Sequence, residues 1–152
     1  MKTLENKIPP PLIAFIFAIA MWWLPAIVTI PMPLLLRWTT IVTLLGLGVI
    51  FSFQGIRSFI EKATTVNPLR PETASALVTT GVYRFSRNPM YLGMALVLAA
   101  WAVYLSSLMA CFGVAGFVLY INRFQIAAEE RALEGLFGAE FAQYRSQVRR
   151  WL

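Results

Sequence analysis

The chain has 152 residues, of which 59% are hydrophobic and 13% are charged. Ordinary soluble domains carry roughly 45–50% apolar and about 25% charged residues, so the composition excludes a soluble globule, a disordered chain and, with a single cysteine, a disulfide scaffold. The net charge of +6 and the mean hydropathy of +0.67 instead predict one integral-membrane domain of the all-α, polytopic class.

The first two uncharged tracts each fit one membrane-spanning helix, which needs roughly 20 residues to cross about 30 Å of hydrocarbon. The first tract opens with three prolines, which places its span at about 12–30, with a kink at Pro25. The second span is predicted at 38–57. A signal peptide would also explain Lys2 and Lys7 before an apolar run, but the charge pattern described below accounts for both lysines.

The third uncharged tract is too long for one crossing, because as a single helix it would measure about 52 Å. Ser106 and Ser107 offer turn polarity near its middle, so we predict a hairpin of two shorter helices. The predicted segments are four spans at about 12–30, 38–57, 89–104 and 107–122, a connector at 61–88 and a helical tail at 123–152.

The basic residues predict how these segments are oriented, because Lys and Arg accumulate on the cytoplasmic side of a membrane. With four spans, twelve of the 13 basic residues share one side and only Arg37 lies on the other. Three spans would erase this bias. We therefore expect both termini on the cytoplasmic side of the membrane. The expected membrane is a bacterial inner membrane. The basic face is expected to contact anionic lipid head groups of the bilayer, with no nucleic-acid partner.

Polar residues capable of chemistry lie in the connector and the tail, which argues against a channel or transporter with polar groups at the bilayer midplane. Pro89 suits the first turn of a helix. Arg87, Asn88 and Tyr91 are then expected around a helix N-terminus, which attracts anionic ligand groups. Alternatively, Arg87 anchors the helix at the lipid head groups and Tyr91 belongs to an aromatic belt.

The tail presents one candidate ligand contact and one apolar stripe. Helical spacing places Glu129 on the same face as Gln125. A carboxylate near the head groups of a basic face is expected to be paired, and a paired carboxylate facing a pocket is a candidate ligand contact. Gly138 is a predicted helix stop. The apolar stripe beyond it consists of Phe141, Tyr144 and Val148 and is expected to pack on the connector or lie on the membrane. Three arginines are expected elsewhere on the surface: Arg145, Arg149 and Arg150.

Two short motifs together resemble a known family. Residues 87–93 read Arg-Asn-Pro-Met-Tyr-Leu-Gly, and residues 129–144 begin with a Glu-Glu pair and end with Phe-Gly-Ala-Glu-Phe-Ala-Gln-Tyr. In this order, separated by a predicted membrane hairpin, they resemble the isoprenylcysteine carboxyl methyltransferase family and the related phospholipid methyltransferases. Those proteins are integral-membrane enzymes that use S-adenosylmethionine.

The resemblance implies a cofactor site for S-adenosylmethionine, a ligand whose charges suit N–H donors, a carboxylate and aromatic faces. The cofactor-binding residues that it implies are Ser75, Ala76, Leu77, Val78, Tyr83, Asn88, Pro89, Met90, Tyr91 and Glu129. We further predict Arg87 and Glu130 as catalytic residues. An amine, thiol or hydroxyl nucleophile needs a proton acceptor, for which Glu129, Glu130 and Tyr91 are the candidates. No metal site is predicted.

Two positions differ from the family pattern. The family's usual His is Asn88, and Gln125 stands where eukaryotic carboxyl methyltransferases have the Arg that engages the substrate carboxylate. We predict Gln125 and the nearby Arg123 as substrate-binding residues. The predicted function is methyl transfer to a lipophilic or prenylated acceptor, an isoprenylcysteine-like carboxylate by resemblance, at the cytoplasmic membrane face. The alternatives are a phospholipid or small-thiol or amine methyltransferase of the same fold, and a non-catalytic lipid-binding membrane subunit.

Overall fold

The computed structural model describes residues 7–24, 28–62 and 74–152. Within these ranges the chain is helical and contains no β-strand beyond one isolated bridge between Thr29 and Ser107, which confirms the predicted all-α class. The elements are α1 (Pro10–Trp23), α2 (Leu34–Glu61), a short 3₁₀-helix (Gly81–Arg84), α3 (Pro89–Leu105), α4 (Leu108–Ile121), a π-helical turn (Asn122–Ile126) and α5 (Ala127–Gln147).

The first helix is shorter than the sequence predicts. The helix predicted at 12–30 ends at Trp23, and its expected kink at Pro25 lies outside the described residues. Leu24 has an extended backbone, with φ of −69° and ψ of 130°. A residue that precedes proline is disfavoured in the helical region by contact with the proline ring, which agrees with the extended backbone of Leu24 after the last residue of α1.

The chain reverses between α3 and α4 at the two serines that the sequence singled out. Ser106 has a left-handed backbone with φ of 50°, and α4 begins directly after Ser107. The segment that follows α1 pairs with this turn: the Ile30 amide donates to the Ser106 carbonyl over 3.0 Å, and the Leu108 amide donates to the Val28 carbonyl over 3.0 Å. The C-terminal part of the predicted first span therefore braces the turn.

Small residues let α2 and α3 pack closely in antiparallel fashion. A Cβ atom added to Gly93 would overlap Ser52 Oγ and would lie 2.6 Å from the Gly48 carbonyl oxygen, and one added to Gly55 would lie 2.7 Å from Met90 Cγ. Such glycine contacts allow the close backbone approach that van der Waals packing requires in membrane helices. The crossing therefore sets the position of the α3 N-terminus against the second half of α2.

The other helices pack around α3 and α4. Phe17 of α1 lies edge-on to Phe117 at 6.0 Å, and Met21 occupies the space beside Gly113. The Trp101 indole donates to the Ala18 carbonyl over 3.1 Å, which ties α1 to α3. The buried core of this bundle is formed by Ile13, Met21, Leu98, Ala102, Phe117, Ile121 and Ile126.

The bundle has two unlike ends. We call the end that carries the Ser106–Ser107 turn the turn end, and the opposite end, where α3 begins and α4 finishes, the polar end. Among the basic residues that the structure describes, only Arg37 lies at the turn end, where it contacts Tyr104. Two helical stretches, Leu34–Glu61 and Leu108–Gln147, are long and apolar enough to cross a membrane, and α1 and α3 are shorter apolar helices. Four crossings with cytoplasmic termini stay a prediction.

The tail is helical and folds onto the connector. Gly138 has φ of 46° and ψ of −114°, which kinks α5. This break confirms the predicted helix stop, and a second helical segment continues from it to Gln147. Phe141 and Tyr144 are buried together with Val78 and Tyr83 of the connector. Of the two arrangements predicted for the apolar stripe, packing on the connector is therefore the one observed.

We expect Gly93→Ala to lower the free energy of unfolding by about 1–3 kcal/mol, because the new methyl group would force α2 and α3 apart. Gly46→Ala is the matched control on α2, since a Cβ atom there meets nothing within 4 Å and alanine favours the helix. Unfolding in mixed micelles measures both. Equal stability of the two variants would contradict the close crossing.

Candidate active site at the polar end

The last residues of the chain lie across the segment that leads into α3. Residues 148–151, here called the C-terminal strap, begin with the extended Val148. The Arg87 amide donates to the Arg149 carbonyl over 3.0 Å, and the Asn88 side-chain amide donates to the Arg150 carbonyl over 2.9 Å. Ser86 Oγ also faces the Arg150 carbonyl at 3.4 Å. The strap therefore holds the start of α3 against the end of the tail.

Glu130 joins two arginines beneath this strap. Arg87 donates to Glu130 Oε1 over 2.8 Å, and Arg150 donates to Oε1 over 3.1 Å and to Oε2 over 2.5 Å. The side chains of Arg87 and Glu130 are only 10% and 14% exposed. Burial lowers the pKa of Arg87 from its usual value, and the Glu130 charge partly offsets this shift. Glu130 thus neutralises a cation that would otherwise be buried unpaired.

The neighbouring carboxylate, Glu129, is bonded to α3. The Tyr91 hydroxyl donates to Glu129 Oε1, so the first turn of α3 contacts the first turn of α5. Burial raises the pKa of Glu129 to about 7, the Tyr91 hydrogen bond partly opposes the rise, and the negative charge of Glu130 adds to it. Glu129 therefore changes its charge near neutral pH, which is characteristic of groups that bind or exchange protons at functional sites.

Two buried tyrosines close the site on the connector side. The Tyr144 hydroxyl donates to the Tyr83 carbonyl over 2.7 Å, and the Tyr83 ring lies edge-on to Phe59 at 5.5 Å. Burial raises the pKa of Tyr83 well above its usual value, with further contributions from Tyr144 and Glu129. Tyr83 is thus a neutral, rigidly held aromatic residue within the electrostatic reach of Glu129.

The N-terminus of α3 has no side-chain cap. Pro89 occupies its first turn as predicted, and the Asn88 side chain turns away to the Arg150 carbonyl. The Asn88 backbone amide donates to Ser86 Oγ over 3.1 Å. The remaining first-turn N–H groups point along the helix axis, where the helix dipole favours an anionic ligand group.

The structure brings together most of the residues that the sequence singled out. The polar end gathers Tyr83, Arg87, Asn88, Pro89, Met90, Tyr91, Glu129 and Glu130. Leu77 and Val78 pack in the adjoining cluster, and Ser75 and Ala76 directly precede them in the chain. The side chain of Met90 contacts Gly55 of α2.

The two predicted substrate-binding residues have other surroundings. Arg123 is exposed. Gln125 is buried, its amide nitrogen donates to the Ile8 carbonyl over 2.8 Å, and its side-chain oxygen has no hydrogen-bond partner. Gln125 therefore ties the π-helical turn to the segment before α1.

Sequence reasoning missed the C-terminal strap. Arg150 keeps a side chain that is 38% exposed, as expected for a surface residue, but its pairing with Glu130 was not predicted. Trp151, the next residue, donates from its indole to Asn122 Oδ1 over 3.1 Å. An Arg-Arg pair near the end of a chain that also carries a Glu-Glu pair is the one signal that could have suggested this contact.

We expect Glu130→Gln to cost about 3 kcal/mol of unfolding free energy, because it leaves Arg87 buried without its counter-charge. Glu61→Gln is the control: it breaks an ion pair with Arg57 whose side chains are 62% and 58% exposed, and should cost at most about 0.5 kcal/mol. Denaturant unfolding in micelles compares them. Similar losses in both variants would contradict the structural role of Glu130.

The raised pKa of Glu129 predicts a pH-dependent stability. The folded protein binds a proton that the unfolded chain releases between about pH 4.5 and 7, so this group makes the unfolding free energy fall as pH rises through that window, by on the order of 3 kcal/mol. Glu129→Gln should remove this fall. Melting curves of both proteins from pH 4 to 8 measure it, and parallel profiles would contradict the burial of Glu129.

Comparisons with known proteins identify a family match. The model of the phospholipid methyltransferase family matches residues 36–140. An uncharacterized protein of Haemophilus influenzae is 51% identical over 63 residues, which is 41% of this chain and the whole of that relative. No solved structure matches the chain. The family match confirms the resemblance to the phospholipid methyltransferases, whereas the isoprenylcysteine branch stays a prediction. The chain belongs to the phospholipid methyltransferase family.

Proposed function

We propose that the chain is an S-adenosylmethionine-dependent methyltransferase that acts on a lipophilic acceptor at the cytoplasmic face of a bacterial inner membrane. Family membership supports methyl transfer to a lipid-like substrate. The observation that carries the proposal is the Tyr91–Glu129 pair, a carboxylate with a pKa of about 7 that lies at the polar end of an otherwise apolar bundle, next to the uncapped start of α3.

The residues of this end fit the chemistry of the cofactor. An α-amino acid group needs a carboxylate for its ammonium and N–H donors for its carboxylate. Glu129 offers the carboxylate, and the uncapped first turn of α3 offers the N–H donors. Tyr91, which is bonded to Glu129, and Tyr83 are the aromatic residues of this site that would contact a cationic centre. When bound, S-adenosylmethionine supplies an electrophilic methyl group on a sulfonium.

Within this proposal the two glutamates have different roles. Both oxygens of Glu130 accept hydrogen bonds from arginines, so Glu130 and Arg87, predicted as catalytic, act as positioning residues that hold the α3 N-terminus against α5. Glu129 contacts the ligand and is the group that can accept a proton from an amine, thiol or hydroxyl nucleophile near neutral pH. A carboxylate nucleophile would need no such acceptor.

Two observations favour a phosphate-bearing acceptor over an isoprenylcysteine. Gln125 donates to a backbone carbonyl, so the position used by eukaryotic carboxyl methyltransferases for the substrate carboxylate is engaged elsewhere. A cleft of about 500 Å³ beside Glu130 is lined by four arginines, and guanidinium groups suit phosphate oxygens. These arginines are Arg87, Arg145, Arg149 and Arg150.

Calorimetric titration of the detergent-solubilised protein tests the cofactor site. We expect the wild-type protein to bind S-adenosylmethionine and Glu129→Gln to weaken binding by at least about tenfold, the equivalent of one charge-assisted hydrogen bond. Glu140→Gln, on the exposed part of the same helix, is the charge-matched control and should bind normally. A folded wild-type protein that binds no cofactor would refute the proposal.

Methyl transfer identifies the acceptor. We expect the wild-type protein, incubated with S-adenosylmethionine labelled on its methyl group and a total lipid extract, to move label into the organic phase. Phospholipid-bound label would support the phosphate-bearing acceptor. In a parallel incubation with a prenylcysteine analogue, label that mild base releases from the analogue would support the carboxylate. Cofactor binding without transfer to lipids, small thiols or amines would favour the non-catalytic lipid-binding subunit.

A further inference from the structure

A wide apolar groove lies near the turn end, away from the candidate active site. It has a volume of about 680 Å³ and is lined by residues of α1, α2 and α3. Its lining includes Trp22, Trp38, Leu45, Val97, Trp101 and Tyr104. Apolar grooves of this size that open on the surface of a helical bundle mark binding sites for apolar ligands or partners.

One wall of the groove is a stack of aromatic rings. Trp22 stacks on Trp101 with centroids 5.6 Å apart, and Trp101 stacks on Tyr104 at 5.1 Å. Trp38 lies edge-on to Tyr104 at 6.4 Å. Because Trp and Tyr concentrate at the level of the lipid head groups, this wall indicates that the mouth of the groove lies at the membrane interface.

Arg37 lies at this mouth. Its guanidinium donates to the Tyr104 carbonyl and lies 5.8 Å from the centre of the Tyr104 ring. Its Nε atom is buried and has no hydrogen-bond partner, which is unfavourable for a charged donor. Arg37 is also the single basic residue that the described part of the chain places at the turn end. An anionic group above the groove would balance the charge of the Arg37 guanidinium.

We propose that the groove binds one phospholipid of the leaflet opposite the candidate active site, with its phosphodiester on Arg37 and an acyl chain along α3. From Arg37 to Leu45 the groove wall extends about 12 Å along α2. One leaflet contributes about 15 Å of hydrocarbon, so the depth suits an acyl chain of that leaflet. This site is independent of the proposed methyl transfer. The phospholipid that it holds is a structural lipid and is distinct from the methyl acceptor.

Tryptophan fluorescence provides a direct test. Four of the five tryptophans, Trp22, Trp23, Trp38 and Trp101, line the groove. We expect phosphatidylglycerol with dibrominated acyl chains, added to the full-length protein in micelles, to quench this fluorescence saturably. Dibrominated diacylglycerol, which lacks the phosphate, should bind at least about tenfold more weakly, as expected from loss of a charge-assisted hydrogen bond.

The matched variants separate charge from groove shape. Arg37→Gln should weaken phosphatidylglycerol binding about tenfold and leave diacylglycerol unchanged, whereas Arg57→Gln, at the other end of α2 in an exposed ion pair, should change neither. Leu45→Phe fills the groove and should reduce quenching by both lipids. If Arg37→Gln does not fold, Arg37→Lys is the second variant. It keeps the charge but loses the planar guanidinium donors, and it should weaken phosphatidylglycerol binding severalfold.

Several outcomes would overturn this inference. Equal quenching by the phospholipid and the diacylglycerol would show that the groove takes apolar chains without a head-group contact. Unchanged phosphatidylglycerol binding in the Arg37 variants would remove the phosphate site. A stable dimer in light scattering, with no lipid-dependent quenching, would show that a second copy of the chain covers the groove. Because none of these readouts involves methyl transfer, failure here would leave the proposed function unaffected.

Discussion

The arrangement of the polar end depends on Glu130, whose carboxylate pairs with two arginines from opposite ends of the chain's second half. Arg87 stands just before α3, and Arg150 stands in the C-terminal strap. A carboxylate that is 14% exposed tolerates its burial only because both of its oxygens are bonded to cations. The ion pairs of Glu130 with Arg87 and Arg150 hold the tail over the start of α3. This arrangement buries Glu129 beside Tyr91, where the pKa of Glu129 rises to about 7. The structural and the chemical glutamate are thus adjacent in sequence and distinct in role.

Much of the fold is predictable because prolines and serines act locally. Pro89 begins α3 where its missing N–H costs nothing, and the Ser106–Ser107 turn separates α3 from α4. Pro25 shows the limit of such reasoning. A proline within an apolar run can kink a helix or end it, and only tertiary contacts decide. Here the residues after the break hydrogen-bond to the α3–α4 turn, an interaction between segments far apart in the sequence.

The candidate site was predictable where its members lie in short motifs and unpredictable where distant segments meet. The spacing of Arg87, Asn88 and Tyr91 around a helix start indicates an anion-binding end, and the structure gathers these residues with Glu129. The pairing of Glu130 with Arg150 requires the break at Gly138, which the sequence indicated, and also the extended strap, which no local pattern encodes. Gln125 was assigned to the substrate by its place in a motif, but its amide bonds to Ile8.

The proposed cofactor site lies at the polar end, between the start of α3 and the start of α5. Ultraviolet crosslinking of labelled S-adenosylmethionine to the full-length protein, followed by peptide mapping, tests this location. We predict that the label maps to peptides covering residues 75–91 or 129–150 and that excess unlabelled cofactor suppresses it. Label confined to the groove-lining peptides of α1 and α2, or label that excess cofactor does not displace, would contradict this location of the cofactor site.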